Sequence, residues 1–220
     1  MTETHGRRRM LRALEERGIA SRRVLDAMAR VPREAFVDEA LRSEAYSDAA
    51  LPIGERQTIS QPWIVARMAE LLEPDGAGRA LEIGTGSGYQ AAVLARLFEQ
   101  VYSVERFPSL SKRARETIRT LGIENVHFKI FDGSYGWSEF APYRGIVVAA
   151  AAPEVPPPLF EQLDEGGRLV VPVGGAPGAA GAAPEEQVLV RVVRQGDEER
   201  REEHGRCRFV PLVGRFGWSR

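Results

Sequence analysis

Hydrophobic and polar positions in the first third of the chain predict helices. Apolar residues recur every three to four positions between residues 7 and 45, which is helical spacing. Ser21 is placed to cap the second of these helices, and Pro32 helps to end it. Beyond Tyr46 the pattern becomes extended. A further apolar helix is then predicted from Pro62 to Leu72, because proline is tolerated in the first turn of a helix.

From Ala80 onward, short apolar runs that suit buried strands alternate with stretches that suit helices. This alternation predicts an α/β fold with a mostly parallel sheet that helices cover on both faces. Near the end of the chain, "QVLVRVVR" and "RCRFVPLVG" predict an antiparallel strand pair, with the charged run "DEERREEHG" as its solvated tip. The small-residue stretch 174–186 is predicted to be a loop.

Composition narrows the classes of function. The 220 residues carry a formal net charge of −1, which argues against a strongly basic nucleic-acid surface. Cys207 is the single cysteine, so no internal disulfide can form, and with three scattered histidines no metal site is expected. The first residues lack the apolar core of a signal peptide, and no run of eighteen apolar residues occurs. We therefore expect a cytoplasmic protein, with neither membrane nor nucleic acid as a partner.

A glycine loop stands at the centre of the candidate chemistry. The stretch "LEIGTGSGYQ" places Gly84, Gly86 and Gly88 between a predicted strand and a predicted helix. Such a turn needs unusual backbone angles, and a bound ligand needs close approach to the backbone. Glu105 ends the next strand, nineteen residues after Gly86, where a carboxylate can accept both hydroxyls of a ribose. The sequence therefore predicts a nucleotide site.

Two further acids bear on which nucleotide binds. Glu82 lies two residues before the first glycine, where a carboxylate would oppose a pyrophosphate but favour a cationic ligand. The spacing is also G-x-G-x-G and not the dinucleotide pattern G-x-G-x-x-G. Both points favour S-adenosyl-L-methionine over NAD. Asp132 follows the third strand, where it could accept a hydrogen bond from an adenine amino group. An NAD-dependent oxidoreductase remains a distant alternative.

Longer strings add a resemblance. The chain resembles the protein-L-isoaspartate O-methyltransferases over nearly its whole length, in "ALPIGERQTISQPWIVARMAELL", "LEIGTGSGYQAAVLA", "VYSVER", "DGSYGW", "AAAAPEVPPPL" and "GGRLVVPVG". The resemblance implies a doubly wound, seven-stranded Rossmann-like methyltransferase sheet with extra N-terminal helices. On this basis we divide the chain into an N-terminal helical segment with an active-site lip, residues 1–75, and an S-adenosylmethionine-binding core, residues 76–220.

The same resemblance implies an activity. Members of the family methylate the α-carboxylate of L-isoaspartyl residues in damaged proteins and peptides, and the ester then closes to a succinimide that yields some normal aspartate. For this chain it implies isoaspartyl-containing proteins and peptides as partners, and we expect a monomer, although the sequence itself does not give the oligomeric state. Two alternatives stay open: a carboxyl methyltransferase with changed specificity for a particular peptide, and a cofactor-binding homologue without catalysis.

Site residues follow from the resemblance position by position. Ser60 resembles the family's active-site serine. A carboxylate acceptor is already ionised at neutral pH, so Ser60 would orient it by hydrogen bonding and would not act as a nucleophile. Capping of the helix that begins at Pro62 is the alternative role. The implied cofactor-binding residues are Thr58, Ile59, Glu82, Gly84, Gly86, Gly88, Glu105, Asp132 and Gly133, and the implied substrate-binding residues are Gln57, Ser60, Val210, Pro211, Leu212 and Val213.

Two arginines depart from the family pattern. Arg56 stands in "GERQTIS" where the family commonly has glycine, and Arg144 stands in "APYRGIVV" where it commonly has aspartate. Either arginine could alter substrate choice, or both could be changes on the surface. Arg67 and Arg106 could each pair with acids or help to hold a substrate carboxylate, and the sequence leaves both roles open.

Overall fold

A computed structural model describes residues 3–175 and 186–219, so most of the loop predicted at 174–186 lies outside the described residues. The chain begins with helices α1, Glu3–Glu16, and α2, Arg22–Arg30. As predicted, Ser21 is the N-cap of α2, and its hydroxyl accepts a hydrogen bond from the Val24 amide at 3.4 Å. Two short 3₁₀ turns follow, Arg33–Phe36 and Glu39–Glu44.

A small hairpin precedes the third helix. Its strands are β1, Leu51–Gly54, and β2, Gln57–Ile59, which pair antiparallel. Helix α3 covers Pro62–Leu71, within one residue of its predicted end. Most of its side chains are buried, because this helix packs into the hydrophobic core on several sides.

The later helices and strands are β3 Arg79–Ile83, α4 Tyr89–Leu94, β4 Gln100–Glu105, α5 Pro108–Thr120, β5 Val126–Ile130, β6 Tyr143–Val148, α6 Pro157–Glu161, β7 Leu163–Gly174, β8 Gln187–Gln195 and β9 Glu198–Cys207. The central sheet has seven strands in the order β5-β4-β3-β6-β7-β8-β9, of which the first five in that order run parallel. This confirms the predicted doubly wound class, with β8 as an antiparallel neighbour of both β7 and β9.

The predicted position of the last strand was wrong. We expected the charged run after residue 196 to be a solvated tip, but Glu198–Cys207 is strand β9 itself. Charged side chains are tolerated there because β9 is an edge strand whose alternate residues face solvent or ionic partners. Arg191 on β8 lies opposite Glu202, with the Arg191 Nη2 and Glu202 Oε2 atoms 2.6 Å apart. The residues after Cys207 leave the sheet.

Buried apolar side chains form two clusters, one on each face of the sheet. The first joins the N-terminal helices to α4 and α5 through residues such as Met28, Met68 and Leu94. The second contains Leu81 and Leu169, from strands β3 and β7. The first cluster contains residues from both sides of position 75, and the division into 1–75 and 76–220 stays a prediction. Among the described residues, no helix is both long enough and apolar enough to cross a membrane.

Candidate active site

A cavity of about 230 Å³ opens at the carboxyl ends of strands β3, β4 and β6. The chain winds outward from β3 through β4 to β5 and then returns to β6 on the other side of β3, so the cavity lies at the point where strand order reverses. Open α/β sheets bind their ligands at this point. The lining residues are Arg56, Gln57, Thr58, Ile59, Ser60, Val65, Ile83, Gly84, Thr85, Ser87, Tyr89, Gln90, Val104, Glu105, Arg106, Phe107, Gly133, Ala149, Ala150, Val210, Pro211, Leu212 and Val213.

The glycine loop forms the inner wall of this cavity. Gly84 and Gly88 have left-handed φ angles of 93° and 90°, which favour glycine. A β-carbon on Gly88 would also come within 3.0 Å of the Ala114 side chain on α5, so the helix could not pack as closely. The loop is therefore compact, and Gly84 lines the cavity with its backbone. Gly86 and Gly88 lie in the loop but are not lining residues.

Glu105, the predicted ribose acid, lines the cavity at the end of β4. Its carboxylate accepts hydrogen bonds from three backbone amides, those of Gly86 at 2.9 Å, Arg106 at 2.8 Å and Phe107 at 2.9 Å. These bonds tie the acid to the glycine loop on one side and to the start of α5 on the other. These bonds hold Glu105 in place, and because a carboxylate oxygen can accept more than one hydrogen bond, Glu105 can still accept ligand hydroxyls.

Glu82 lies behind the glycine loop and is not a lining residue. It is completely buried, and the Ser103 hydroxyl donates to its Oε2 atom at 2.5 Å. The Thr85 hydroxyl, which does line the cavity, is 2.5 Å from the same Ser103 oxygen. Burial raises the pKa of Glu82 to about 8, and the negative charge of Glu105 adds to the rise. Glu82 is therefore mostly protonated at pH 7.

Asp132 and Gly133, the predicted adenine-side pair, have separate positions. Gly133 lines the cavity, and Asp132 lies beside it. The Asp132 Oδ1 atom accepts from the Ser134 amide at 2.9 Å, and its Oδ2 atom accepts from the Arg215 amide at 2.9 Å. The Phe216 amide also donates to the Ser134 hydroxyl at 3.1 Å. Asp132 thus fastens the C-terminal segment, residues 208–219, to the sheet.

The C-terminal segment covers one side of the cavity, and all four predicted substrate residues at 210–213 line it. It runs beside Ala151, which lies shortly after the end of β6. The Ala151 amide donates to the Val210 carbonyl and the Ala151 carbonyl accepts from the Leu212 amide, both at 2.8 Å. The Trp218 indole Nε1 also donates to the Ala151 carbonyl at 3.0 Å. These bonds replace the strand pairing that the sequence predicted for this stretch.

The opposite side of the cavity is a lip, defined here as residues 56–60. All five of its residues line the cavity. The structure separates Ser60 from the capping role, because the N-cap of α3 is Gln61 and no side chain of the helix start provides the bond. Asp48 provides it instead, since its Oδ1 atom accepts from the Trp63 amide at 2.9 Å. The Ser60 hydroxyl is therefore not used by the helix.

Arg33 supports the lip from below, a role that the sequence did not reveal. This side chain is fully buried, and its Nε and Nη2 atoms donate to the carbonyls of Ala45 and Ser60, each at 2.7 Å. The guanidinium also lies over the ring of Tyr89, 4.8 Å from its centroid. Burial lowers the pKa of Arg33 from its ordinary value and raises the pKa of Tyr89 to about 12. A guanidinium pKa begins so high that Arg33 remains charged.

The two arginines that depart from the family pattern lie at different ends of the molecule. Arg56 lines the cavity. Arg144 is the second residue of strand β6, at the opposite edge of the sheet, where its Nη2 atom is 3.4 Å from the Asp75 carboxylate. Arg144 is therefore a surface ion-pair residue, and only Arg56 can act directly on a ligand in the cavity.

Some lining residues were missed by sequence reasoning. Tyr89 and Gln90 are the first two residues of α4, and their position directly after a glycine loop is a signal that could have found them. Ala149 and Ala150 follow strand β6, which ends at the same edge as β3. Arg33 offered no such signal, because nothing in its local sequence indicates a contact 27 residues away. Among the described residues, no cluster of acids, histidines or cysteine could hold a metal ion.

Comparisons with known proteins point in one direction. Residues 5–217 match the family model described as Protein-L-isoaspartate(D-aspartate) O-methyltransferase (PCMT). A protein-L-isoaspartate O-methyltransferase of Geobacter metallireducens is 52% identical over 215 residues, which covers 97% of this chain and 96% of that one. A solved protein-L-isoaspartate O-methyltransferase superposes with a TM-score of 0.85 at 33% identity, covering 96% of this chain and 67% of that one. A putative Plasmodium falciparum enzyme of the same name, in complex with S-adenosyl-L-homocysteine, superposes with a TM-score of 0.75 at 25% identity, covering 93% of this chain and 96% of that one.

Proposed function

The chain belongs to the protein-L-isoaspartate O-methyltransferase family, and from this premise we propose how its own residues carry out the reaction. The activity is methylation of the α-carboxylate of L-isoaspartyl residues in damaged proteins and peptides, with S-adenosyl-L-methionine as the methyl donor. The single observation that carries the proposal is the shared cavity. It joins the glycine loop and Glu105 on one side to Ser60 and residues 210–213 on the other.

The residues of the inner wall suit this cofactor. Glu105 offers fixed carboxylate oxygens to ribose hydroxyls, and Gly133 lines the part of the wall where we place the adenine edge. Gln90 lines the same wall, and its buried Nε2 atom has no hydrogen-bond acceptor among the described residues. A buried amide without an acceptor is costly, so Gln90 is suited to bind an oxygen of the methionine carboxylate. When bound, S-adenosyl-L-methionine supplies a methyl group on a positively charged sulfur, which leaves as a neutral thioether.

The acceptor side needs no strong base. The carboxylate of an isoaspartyl residue is ionised at neutral pH, so the protein has only to orient it and exclude water. The Ser60 hydroxyl is free to donate a hydrogen bond to this carboxylate, because Asp48 caps α3 in its place. Arg33 holds the Ser60 carbonyl, and its buried positive charge below the lip favours an anion above it.

We infer that the other residues of the lip and of the C-terminal segment also contact the cofactor or the peptide. Gln57 and Thr58 would contact the substrate or cofactor at the lip, and residues 210–213 would enclose the peptide from the opposite side. Glu82 would act on the cofactor only through Ser103 and Thr85, because it does not reach the cavity. We further propose that the protein is a monomer that acts in the cytoplasm on exposed isoaspartyl sites of many proteins.

The Ser60→Ala variant tests the assignment most directly. Loss of a hydrogen bond to a charged acceptor should lower kcat/KM for an isoaspartyl peptide about 10- to 100-fold. Affinity for S-adenosyl-L-homocysteine, measured by calorimetry, should stay within about twofold, because Ser60 is assigned to the acceptor. Ser43→Ala is a matched control, since Ser43 is exposed in a 3₁₀ turn.

The outcomes separate the alternatives. The wild-type protein should methylate the isoaspartyl peptide and leave the matching aspartyl peptide unmodified. Binding of S-adenosyl-L-homocysteine without methylation of either peptide would favour a non-catalytic homologue. Full activity in Ser60→Ala would remove Ser60 from the reaction. A strong preference among isoaspartyl peptides would favour the alternative of narrowed specificity, for which Arg56 in the cavity is the supporting observation.

A further inference from the structure

The tip of the β1–β2 hairpin is built from unusual residues. Glu55 and Arg56 form the turn, and both have left-handed φ angles, 51° and 56°. Two-residue hairpin turns of this kind favour asparagine and glycine, because other side chains rarely adopt these angles. The chain therefore keeps an arginine where the backbone favours glycine. An arginine in a backbone conformation that it rarely adopts suggests that its side chain has a function.

Contacts on the far side of the turn fix its position. The Ser109 hydroxyl at the start of α5 donates to the Glu55 carboxylate at 2.6 Å. Arg113, one turn further along α5, donates to the Ile53 carbonyl. The hairpin tip is thus attached to α5 through Glu55, and the neighbouring Arg56 is left at the cavity.

Arg56 shares the cavity with a second arginine, Arg106, which follows the ribose acid. Neither guanidinium forms an ion pair with any residue in 3–175 or 186–219. The Arg106 guanidinium lies over the ring of Phe107, 5.0 Å from its centroid. The acids that precede them in the sequence are held by other groups: Glu55 accepts from the Ser109 hydroxyl, and Glu105 accepts from three backbone amides. Both guanidinium groups are therefore available to pair with a carboxylate of a ligand in the cavity.

We propose that Arg56, together with Arg106, selects isoaspartyl sites that have an acidic side chain within two residues of the damaged position. This inference rests on the proposed function, since it concerns the peptide that carries the methyl acceptor. The acceptor α-carboxylate lies at Ser60, four residues along the lip from Arg56, so a neighbouring carboxylate of the peptide falls within reach of a long arginine side chain. Arg56 is thus a specificity-determining residue.

The size of the effect follows from the exposure of the two arginines. Ion pairs at a solvated rim change affinity modestly, so each arginine should contribute about a two- to fivefold preference. The preference should appear mainly in KM, because the contact is made in both the bound peptide and the transition state. High salt should reduce it, because exposed charges are screened.

The experiment uses three isoaspartyl peptides of equal length. The isoaspartate is flanked by two glutamates, two glutamines or two lysines, and kcat/KM is measured for the full-length wild-type protein and its variants. The wild type should favour the glutamate peptide over the lysine peptide about tenfold at low salt. Arg56→Gln should lower this ratio about threefold, and Arg56→Gln with Arg106→Gln should bring it near one. Because the readout is the ratio of kcat/KM for two peptides with the same variant, a loss of cofactor binding that affects both peptides equally does not change it.

Two controls isolate the charge. Arg96→Gln removes an exposed guanidinium after α4, at the amino edge of the sheet, and should leave the ratio unchanged. Arg56→Gly relieves the left-handed angle as well as removing the charge, so it should match Arg56→Gln in the ratio while unfolding at a higher temperature.

The possible failures are distinct. A wild-type ratio near one, or a ratio that Arg56→Gln leaves unchanged, would overturn the inference about Arg56. No methylation of the glutamine-flanked peptide by the wild-type protein would instead contradict the proposed function.

Discussion

Arg33 and Glu82 are both completely buried ionisable side chains next to the cavity, and the protein treats their charges in different ways. Arg33 lies under the lip and remains a cation, with carbonyls of Ala45 and Ser60 as its partners. Glu82 lies behind the glycine loop with the Ser103 hydroxyl as its partner, and burial raises its pKa to about 8. The same loss of hydration therefore leaves one group charged and the other largely neutral at pH 7.

The difference follows from the starting pKa values. The pKa of a carboxyl group in water is about 4, so burial can raise it past neutral pH and leave the group protonated. The pKa of a guanidinium starts far above neutral pH, so the group keeps its charge and needs hydrogen-bond acceptors. The lip thus depends on Arg33, whose permanent charge requires hydrogen-bond acceptors from the fold. Glu82, behind the glycine loop, instead holds a proton that is lost when the pH rises above its pKa.

Arg33→Met should have the largest effect. It leaves the buried carbonyls of Ala45 and Ser60 without their donor, so the free energy of unfolding should fall by about 3 kcal/mol. Turnover at saturating cofactor should fall as well, because the lip loses its support. Urea unfolding and steady-state kinetics measure the two effects. Arg12→Met on the exposed face of α1 is the control, and a loss no greater than in this control would show that Arg33 does not hold the lip.

Glu82→Gln should change the pH dependence of stability. Because the folded pKa lies above the unfolded value of about 4.5, the native protein holds an extra proton between pH 4.5 and pH 8. The contribution to stability is then complete below pH 4.5 and is lost as the pH rises to about 8. Between pH 6 and pH 8, the wild type without cofactor should lose about 2 kcal/mol more than Glu82→Gln. Parallel pH profiles from urea unfolding would contradict a raised pKa.

Asp132→Asn should have the smallest effect of the three variants. Asp132 is only partly buried, whereas Arg33 and Glu82 are completely buried. An amide group cannot reproduce all the bonds that Asp132 accepts from Ser134 and Arg215, so the C-terminal segment should loosen. We expect a loss of about 1 kcal/mol and faster hydrogen exchange at the amides of Arg215 and Phe216. Glu124→Gln on the surface is the control. Unchanged exchange at both amides would mean that Asp132 does not fasten the segment.

Part of the site could be read from local sequence. The glycine loop and the acid at the end of β4 are separated by one helix and one strand, so their spacing alone brings them together. The placement of β9 failed because charged residues rarely indicate a strand, and only an edge position next to Arg191 accommodates them. The support of Ser60 by Arg33 was also invisible, because the two residues meet only after the N-terminal helices have packed.

The sequence by itself determined the class of fold, the family, the glycine loop and the lip containing Ser60. Each of these depends on short-range patterns of hydrophobicity, turn chemistry or motif spacing. Only the tertiary structure decided which polar groups are free for the reaction. Asp48 caps α3 and so leaves the Ser60 hydroxyl free, and Asp132 binds the backbone of the C-terminal segment. Arg56 lies at the cavity, while Arg144 pairs with Asp75 at the opposite edge. The reason is that hydrogen bonds and burial depend on distances across the fold, which local spacing does not specify.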